Sequence, residues 1–204
     1  PRHQLSNGPI MATLRHLRKS TRRQPSPLEA EIAKHLFDLQ VNNSNLKTAL
    51  SSLYINTVKE VELGPTKKAL VVFFPLRYIR KFHKIQRQLV AELEKKVGGK
   101  QIILIAQRKI ARKPKSNLRQ VQRSRTMQSV HEAILDDIIY PADVVGKRIR
   151  YKPDGSKVLR VYLDARDKDK TEIKLEAYTT IYKKLTGKDA TFGYMSNPSL
   201  QQVA

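Results

Sequence analysis

The chain of 204 residues contains no cysteine and no tryptophan. The first absence excludes a disulfide scaffold, a thiolate nucleophile and any cysteine-ligated zinc or iron–sulfur centre. The second, with aromatic residues at only 6%, leaves few of the stacking platforms that read unstacked bases. Glycine occurs eight times, mostly where turns are expected, and neither a P-loop nor a GxGxxG pattern is present. No apolar run approaches the roughly 18 residues of a membrane span. The densest stretch, Ala69 to Phe74, is strand-sized. Pro1 to Ile10 leads into no apolar segment of the signal-peptide type. The five histidines, His3, His16, His35, His83 and His131, fall into no HxH, HxxxH or HxxE spacing. No metal, no cofactor and no small-molecule substrate are therefore expected.

Acid is the other scarcity. Lys and Arg number 40 against 18 Asp and Glu, which leaves a net charge of +22. Hydrophobic residues at 40% suffice for a core, so wholesale disorder is not expected. The class that remains is a soluble, intracellular, strongly basic α/β protein with a polyanionic partner, nucleic acid by default and no membrane.

The charge is unevenly spread. Residues 1–23 hold Arg2, Arg15, Arg18, Lys19, Arg22 and Arg23 with no acid. Residues 108–125 hold Arg108, Lys109, Arg112, Lys113, Lys115, Arg119, Arg123 and Arg125, again with no acid. Like charges at this density repel, so neither segment folds by itself, whereas each can order on a phosphate backbone. The plainer alternative is a solvated tail and a solvated loop. Residues 1–25 are thus expected to be a flexible basic extension, 26–193 one α/β domain with a basic linker at 108–125, and 194–204 a loose tail.

The expected fold is of the α+β type, a mixed, largely antiparallel sheet packed with amphipathic helices. Ser26-Pro27 reads as a helix start, with Glu29 and Glu31 at the positive end of the dipole. Leu28, Ile32, Leu36 and Leu39 give that helix its apolar spacing, and Asn42 to Asn45 break it. Residues 53–63 and 69–74 read as a hairpin of strands, the second buried on both faces. Residues 76–97 form the clearest amphipathic helix and stop at Gly98-Gly99. Residues 101–106 form another central strand. Thr126 caps a helix that Pro141 ends. A hairpin spans 144–163 around Pro153-Asp154-Gly155, a helix spans 171–186 before Gly187, and a strand starts near Thr191.

Two constellations can carry function. On the 144–163 hairpin, Arg148, Arg150 and Lys152 share one face by alternation, opposite Ile149 and Tyr151. Cations about 7 Å apart can follow successive phosphates. The other is acidic: Glu132 and Asp136 share a helical face, with His131 and Asp137 beside them, which is enough for Mg²⁺ or acid–base chemistry. An exposed acidic face balancing nearby arginines explains the same residues more simply. The candidate RNA contacts are Arg15, Arg18, Lys19, Arg22 and Arg23 in the extension and Arg80 and Lys84 on the long helix. To these add Arg108, Lys109, Arg112, Lys113, Lys115, Arg119, Arg123 and Arg125 in the linker, and Lys147, Arg148 and Arg150 on the hairpin.

Four groups of residues resemble a known family in its own order. They are Phe82-His83-Lys84-Ile85-Gln86 with Glu92-Leu93-Glu94-Lys95-Lys96, Arg123-Ser124-Arg125-Thr126 with Val130-His131 and Ile134-Leu135, Val145-Gly146-Lys147-Arg148-Ile149-Arg150, and Tyr182 to Lys188. Over roughly residues 27–193 the chain is similar to the eukaryote-specific ribosomal protein seven of the small subunit. The resemblance implies a structural, non-catalytic protein of the cytosolic small subunit. It implies small-subunit rRNA, neighbouring ribosomal proteins and pre-ribosomal assembly factors as partners, a part in rRNA maturation, and passage through the nucleolus. The basic segment 1–25 is longer than the family pattern, the linker after Pro114 is shorter, and the end from Tyr194 does not match it. Two other readings remain open from the residues alone: an extraribosomal regulator binding DNA or mRNA, and a nuclease or RNA-modifying enzyme built on Glu132, Asp136 and Asp137.

Overall fold

The computed structural model describes residues 14–18, 24–64, 67–112 and 122–194. By contacts it divides into two compact units, the first of residues 1–60 and 70–107, the second of 61–69 and 108–204.

The first unit begins with a short turn, Leu14–His16, and helix α1, Pro27–Asn42. Ser26 and Glu29 close a capping box: the Glu29 N–H donates to Ser26 Oγ at 3.3 Å, and the Ser26 N–H donates to Glu29 Oε2 at 2.8 Å. This satisfies two of the orphan donors that a helix start leaves. After α2, Ser44–Leu50, come strands β1, Thr57–Glu62, and β2, Lys68–Pro75. Helix α3, Ile79–Lys96, follows a single tight turn, Leu76–Tyr78, and β3, Gln101–Gln107, completes a sheet ordered β1-β2-β3. Helix α3 turns Phe82, Gln86, Leu89 and Leu93 inward, and Phe82 meets Phe74 of β2 at a centroid distance of 4.2 Å. Leu70, Val72 and Phe74 of β2 join Ile102, Leu104 and Ala106 of β3 in the same core with α1, α2 and α3. Val71, Ile103 and Ile105 are buried too. The continuous apolar runs are thus strands covered on both faces.

In the second unit, the turn Arg123–Arg125 precedes helix α4, Met127–Ile139. Strands β4, Val144–Tyr151, and β5, Lys157–Leu163, pair antiparallel. Gly155 adopts φ +76° in the tight turn between them, a conformation that L side chains resist. A short helix α5, Lys168–Thr171, and helix α6, Leu175–Thr186, follow, and Gly187 closes α6 at φ +70°. Strand β6, Asp189–Tyr194, pairs parallel to β5, so this second sheet is mixed and ordered β4-β5-β6. Val161 and Leu163 of β5, Tyr178, Ile181 and Tyr182 of α6, and Val130, Leu135, Ile138 and Ile139 of α4 are all buried.

The α+β expectation holds, with two three-stranded sheets where one was expected. Three local expectations differ. Strand β1 starts at Thr57 rather than near Leu53, because residues 53–55 instead receive the chain of residues 16–18. Thr126 occupies the cap position of α4 but caps no N–H: its hydroxyl donates backwards to the Arg123 carbonyl at 2.7 Å. The last helix is split into α5, a tight turn Glu172–Lys174 and α6.

Candidate nucleic-acid interface

With so few acids, the position of each carboxylate decides which cations are neutralised. Lys96 pairs with Asp38, Lys100 with Glu60, Lys95 with Glu92, Lys67 with Glu176 and Lys183 with Asp189. The Lys183 ammonium lies 2.8 Å from Asp189 and holds that carboxyl below its usual range.

The acidic constellation on α4 is spent on fastening. Asp137 is buried and bonds the Arg108 guanidinium through both oxygens, the second contact at 3.1 Å. Asp136 takes the Lys147 ammonium at 3.0 Å, and Glu132 accepts from the Gln128 amide at 3.2 Å. Among the described residues, no three metal-ligating side chains gather. His131 is buried beside them in sequence, and its Nδ1 has no hydrogen-bond partner among the described residues. Burial, then the charge of Lys188, pushes its pKa down, so the ring is neutral at pH 7.

Exposed cations outside these pairs gather in three places among the described residues. The first is the outer face of the β4–β5 hairpin. Arg148 lies directly opposite Arg160, and Arg150 opposite Val158. The three arginines share one face, with the Arg148 guanidinium 5.8 Å from the centre of the Tyr162 ring. Like charges directly opposite each other destabilise an antiparallel pair. From Lys147 to Lys157 every residue is exposed, so Ile149 and Tyr151 lie bare on the other face, 58% and 65% exposed.

The second place is the start of α4. The Ala111 N–H donates to the Arg125 carbonyl at 2.9 Å, which joins the two ends of the linker. Lys109, Arg112, Arg123 and Arg125 are all exposed there.

The third is in the first unit. Arg80, Lys81, Lys84 and Arg87 line the exposed side of α3. At its start, Arg77 donates to the Tyr54 hydroxyl and lies 5.0 Å from the Tyr78 ring centre. Arg18 stands 5.5 Å from the centre of the Tyr54 ring, and Lys81 stands 5.8 Å from that of Tyr78. The Arg77 hydrogen bond lowers the Tyr54 phenol pKa.

Of the expected contacts, Arg15, Arg18, Arg80, Lys84, Lys109, Arg112, Arg123, Arg125, Arg148 and Arg150 are exposed. Arg108 and Lys147 are held by Asp137 and Asp136. Lys19, Arg22, Arg23, Lys113, Lys115 and Arg119 lie outside the described residues. Sequence reasoning missed Arg160, whose signal was its place opposite Arg148 across the Pro153-Asp154-Gly155 turn. It also missed Tyr54, Arg77, Tyr78 and Lys81 as a group, which no local spacing announces.

Known proteins resemble this chain over most of its length. The family model described as ribosomal protein S7e matches residues 16–194. The chain is 44% identical to the small ribosomal subunit protein eS7 of Avicennia marina over 186 residues, 91% of this chain and 98% of that protein. It is 47% identical to small ribosomal subunit protein eS7z of Arabidopsis thaliana over 170 residues, 83% and 89% of the two chains. It is 41% identical to the eS7 protein of Schizosaccharomyces pombe over 187 residues, 90% and 96%.

Proposed function

We propose that this chain, which belongs to the ribosomal protein S7e family, is a structural constituent of the cytosolic small ribosomal subunit. It holds folded small-subunit rRNA through the phosphate backbone, beside neighbouring ribosomal proteins. It acts during assembly and rRNA maturation, meets assembly factors there, and passes through the nucleolus. No step of this role needs chemistry on a substrate.

The observation that carries the reading is the hairpin face. Arg148, Arg150 and Arg160 crowd together without a carboxylate among the described residues. Such a face lowers its energy when phosphates arrive and release their counterions. Contacts of this kind position a protein on RNA without reading its sequence.

The test is the salt dependence of binding to a structured fragment of small-subunit rRNA. Replacing Arg148, Arg150 and Arg160 together by alanine is expected to flatten the plot of log affinity against log salt by about two to three units of slope. An unchanged slope would remove the hairpin from the interface. Equal affinity for rRNA and for duplex DNA would favour a general nucleic-acid binder.

A further inference from the structure

We propose that Tyr54, with Arg18, Arg77, Tyr78 and Lys81 around it, is a platform for a single unpaired RNA nucleotide. This inference rests on the rRNA-binding reading above and adds a base contact to it.

The platform is assembled from three distant stretches of sequence. Residues 16–18 are held against 53–55: the Ile55 N–H donates to the His16 carbonyl at 2.7 Å, and the Arg18 N–H to the Ile55 carbonyl at 2.9 Å. His16 anchors this contact. It is 2% exposed, its Nδ1–H donates to the Leu53 carbonyl at 2.9 Å, and its Nε2 lies 2.7 Å from the Gln40 side-chain oxygen. Arg18 is thereby delivered to the Tyr54 ring. The turn Leu76–Tyr78 supplies the rest. The Tyr78 ring meets Tyr54 edge-on, at 5.0 Å and 72°, and Arg77 lies beside both rings, 5.6 Å and 5.0 Å from their centres. Lys81, in the first turn of α3, reaches Tyr78 and donates to Ser52 Oγ at 3.3 Å.

One cation over a ring is ordinary surface packing. Three converging on two rings, with no carboxylate partner among the described residues, repel one another and call for an anion. The chemistry also says which anion. A bare carboxylate or phosphate would use the cations and leave the rings idle. A nucleotide uses both: its phosphate meets Lys81 and a guanidinium, and its base stacks on a tyrosine or guanidinium plane. The base must be unpaired, because a base inside a duplex already has both faces covered. In a chain with so few aromatics, two tyrosines and three cations meet here.

The full-length chain would be titrated against two short RNA duplexes, one flush and one carrying a single bulged 2-aminopurine. The expected result is about tenfold tighter binding of the bulged RNA, with quenching of the 2-aminopurine as it stacks. Tyr54→Leu should abolish both the preference and the quenching, so that the bulged RNA binds no tighter than the flush duplex. Tyr54→Phe should keep them, and unaltered circular dichroism and melting would show that both variants fold. Equal affinity for the two RNAs, or a preference that survives Tyr54→Leu, overturns the platform but not the backbone reading. Failure to bind either RNA overturns both. Free adenosine monophosphate competing as well as the bulged RNA would reassign the cluster to a soluble nucleotide. A polyglutamate peptide whose binding alone weakens in Tyr54→Leu would reassign it to an acidic protein segment.

Discussion

Asp137 and Arg108 show how burial changes the meaning of a charge. Their side chains are 5% and 11% exposed and bond twice. Removing one partner of such a pair leaves the other charge buried without its counter-charge, at a cost of about 3–5 kcal/mol. Asp137→Ala is therefore expected to lower stability by that amount in urea unfolding, and Arg108→Met added to Asp137→Leu should restore much of it. A loss below about 1 kcal/mol in Asp137→Ala would mean that the pair is solvated. The sequence placed acids near arginines but did not show which of two adjacent aspartates turns inward. That choice belongs to the packing of α4.

His131 supplies a prediction with a sign. The folded state depresses its pKa through burial and the Lys188 charge, so the unfolded chain takes up the proton first as pH falls. Stability is complete above the unfolded value of about 6.5 and declines as pH drops from there toward the lower folded value. Urea midpoints measured between pH 7.5 and 5 should fall, and His131→Phe should remove part of that fall. An identical pH dependence in wild type and His131→Phe would contradict the assignment.

Elements are where the sequence was most informative, because local chemistry decides them. Ser26, Pro27 and Glu29 announce the start of α1, and the capping box is there. Ser26→Ala should cost about 1 kcal/mol of stability in thermal or urea unfolding, and an unaffected midpoint would show that the cap is idle. Phe82, Leu89 and Leu93 fix the inner face of α3 by period alone. Gln86 sits in the same stripe and is buried against expectation for a polar residue. Thr126 was misread as a cap because residue type specifies a capacity and not a direction; the Arg123 carbonyl competes for the hydroxyl. The β4–β5 hairpin was legible from its turn and alternation. Arg160 was missed because register, not period, puts it opposite Arg148.

At the scale of the whole molecule, net charge points to a class of partner but to no surface. Which cations stay uncompensated depends on where 18 acids fall in three dimensions. Asp136 and Asp137 neutralise Lys147 and Arg108, whereas Arg148, Arg150 and Arg160 stay open to solvent. The Tyr54 group joins residues 18, 54 and 77, and such convergence is invisible to any local pattern. The sequence blocks, read in order, carried the family because they sample both units.

The central claim is that the chain is built into the small ribosomal subunit by contacts to its rRNA. Sedimentation of cell lysate on a sucrose gradient, before and after a high-salt wash, tests it most directly. The account predicts cosedimentation with small subunits that survives the wash, since many phosphate contacts inside a folded particle are not released together. A chain found mainly at the top of the gradient in both conditions would contradict it.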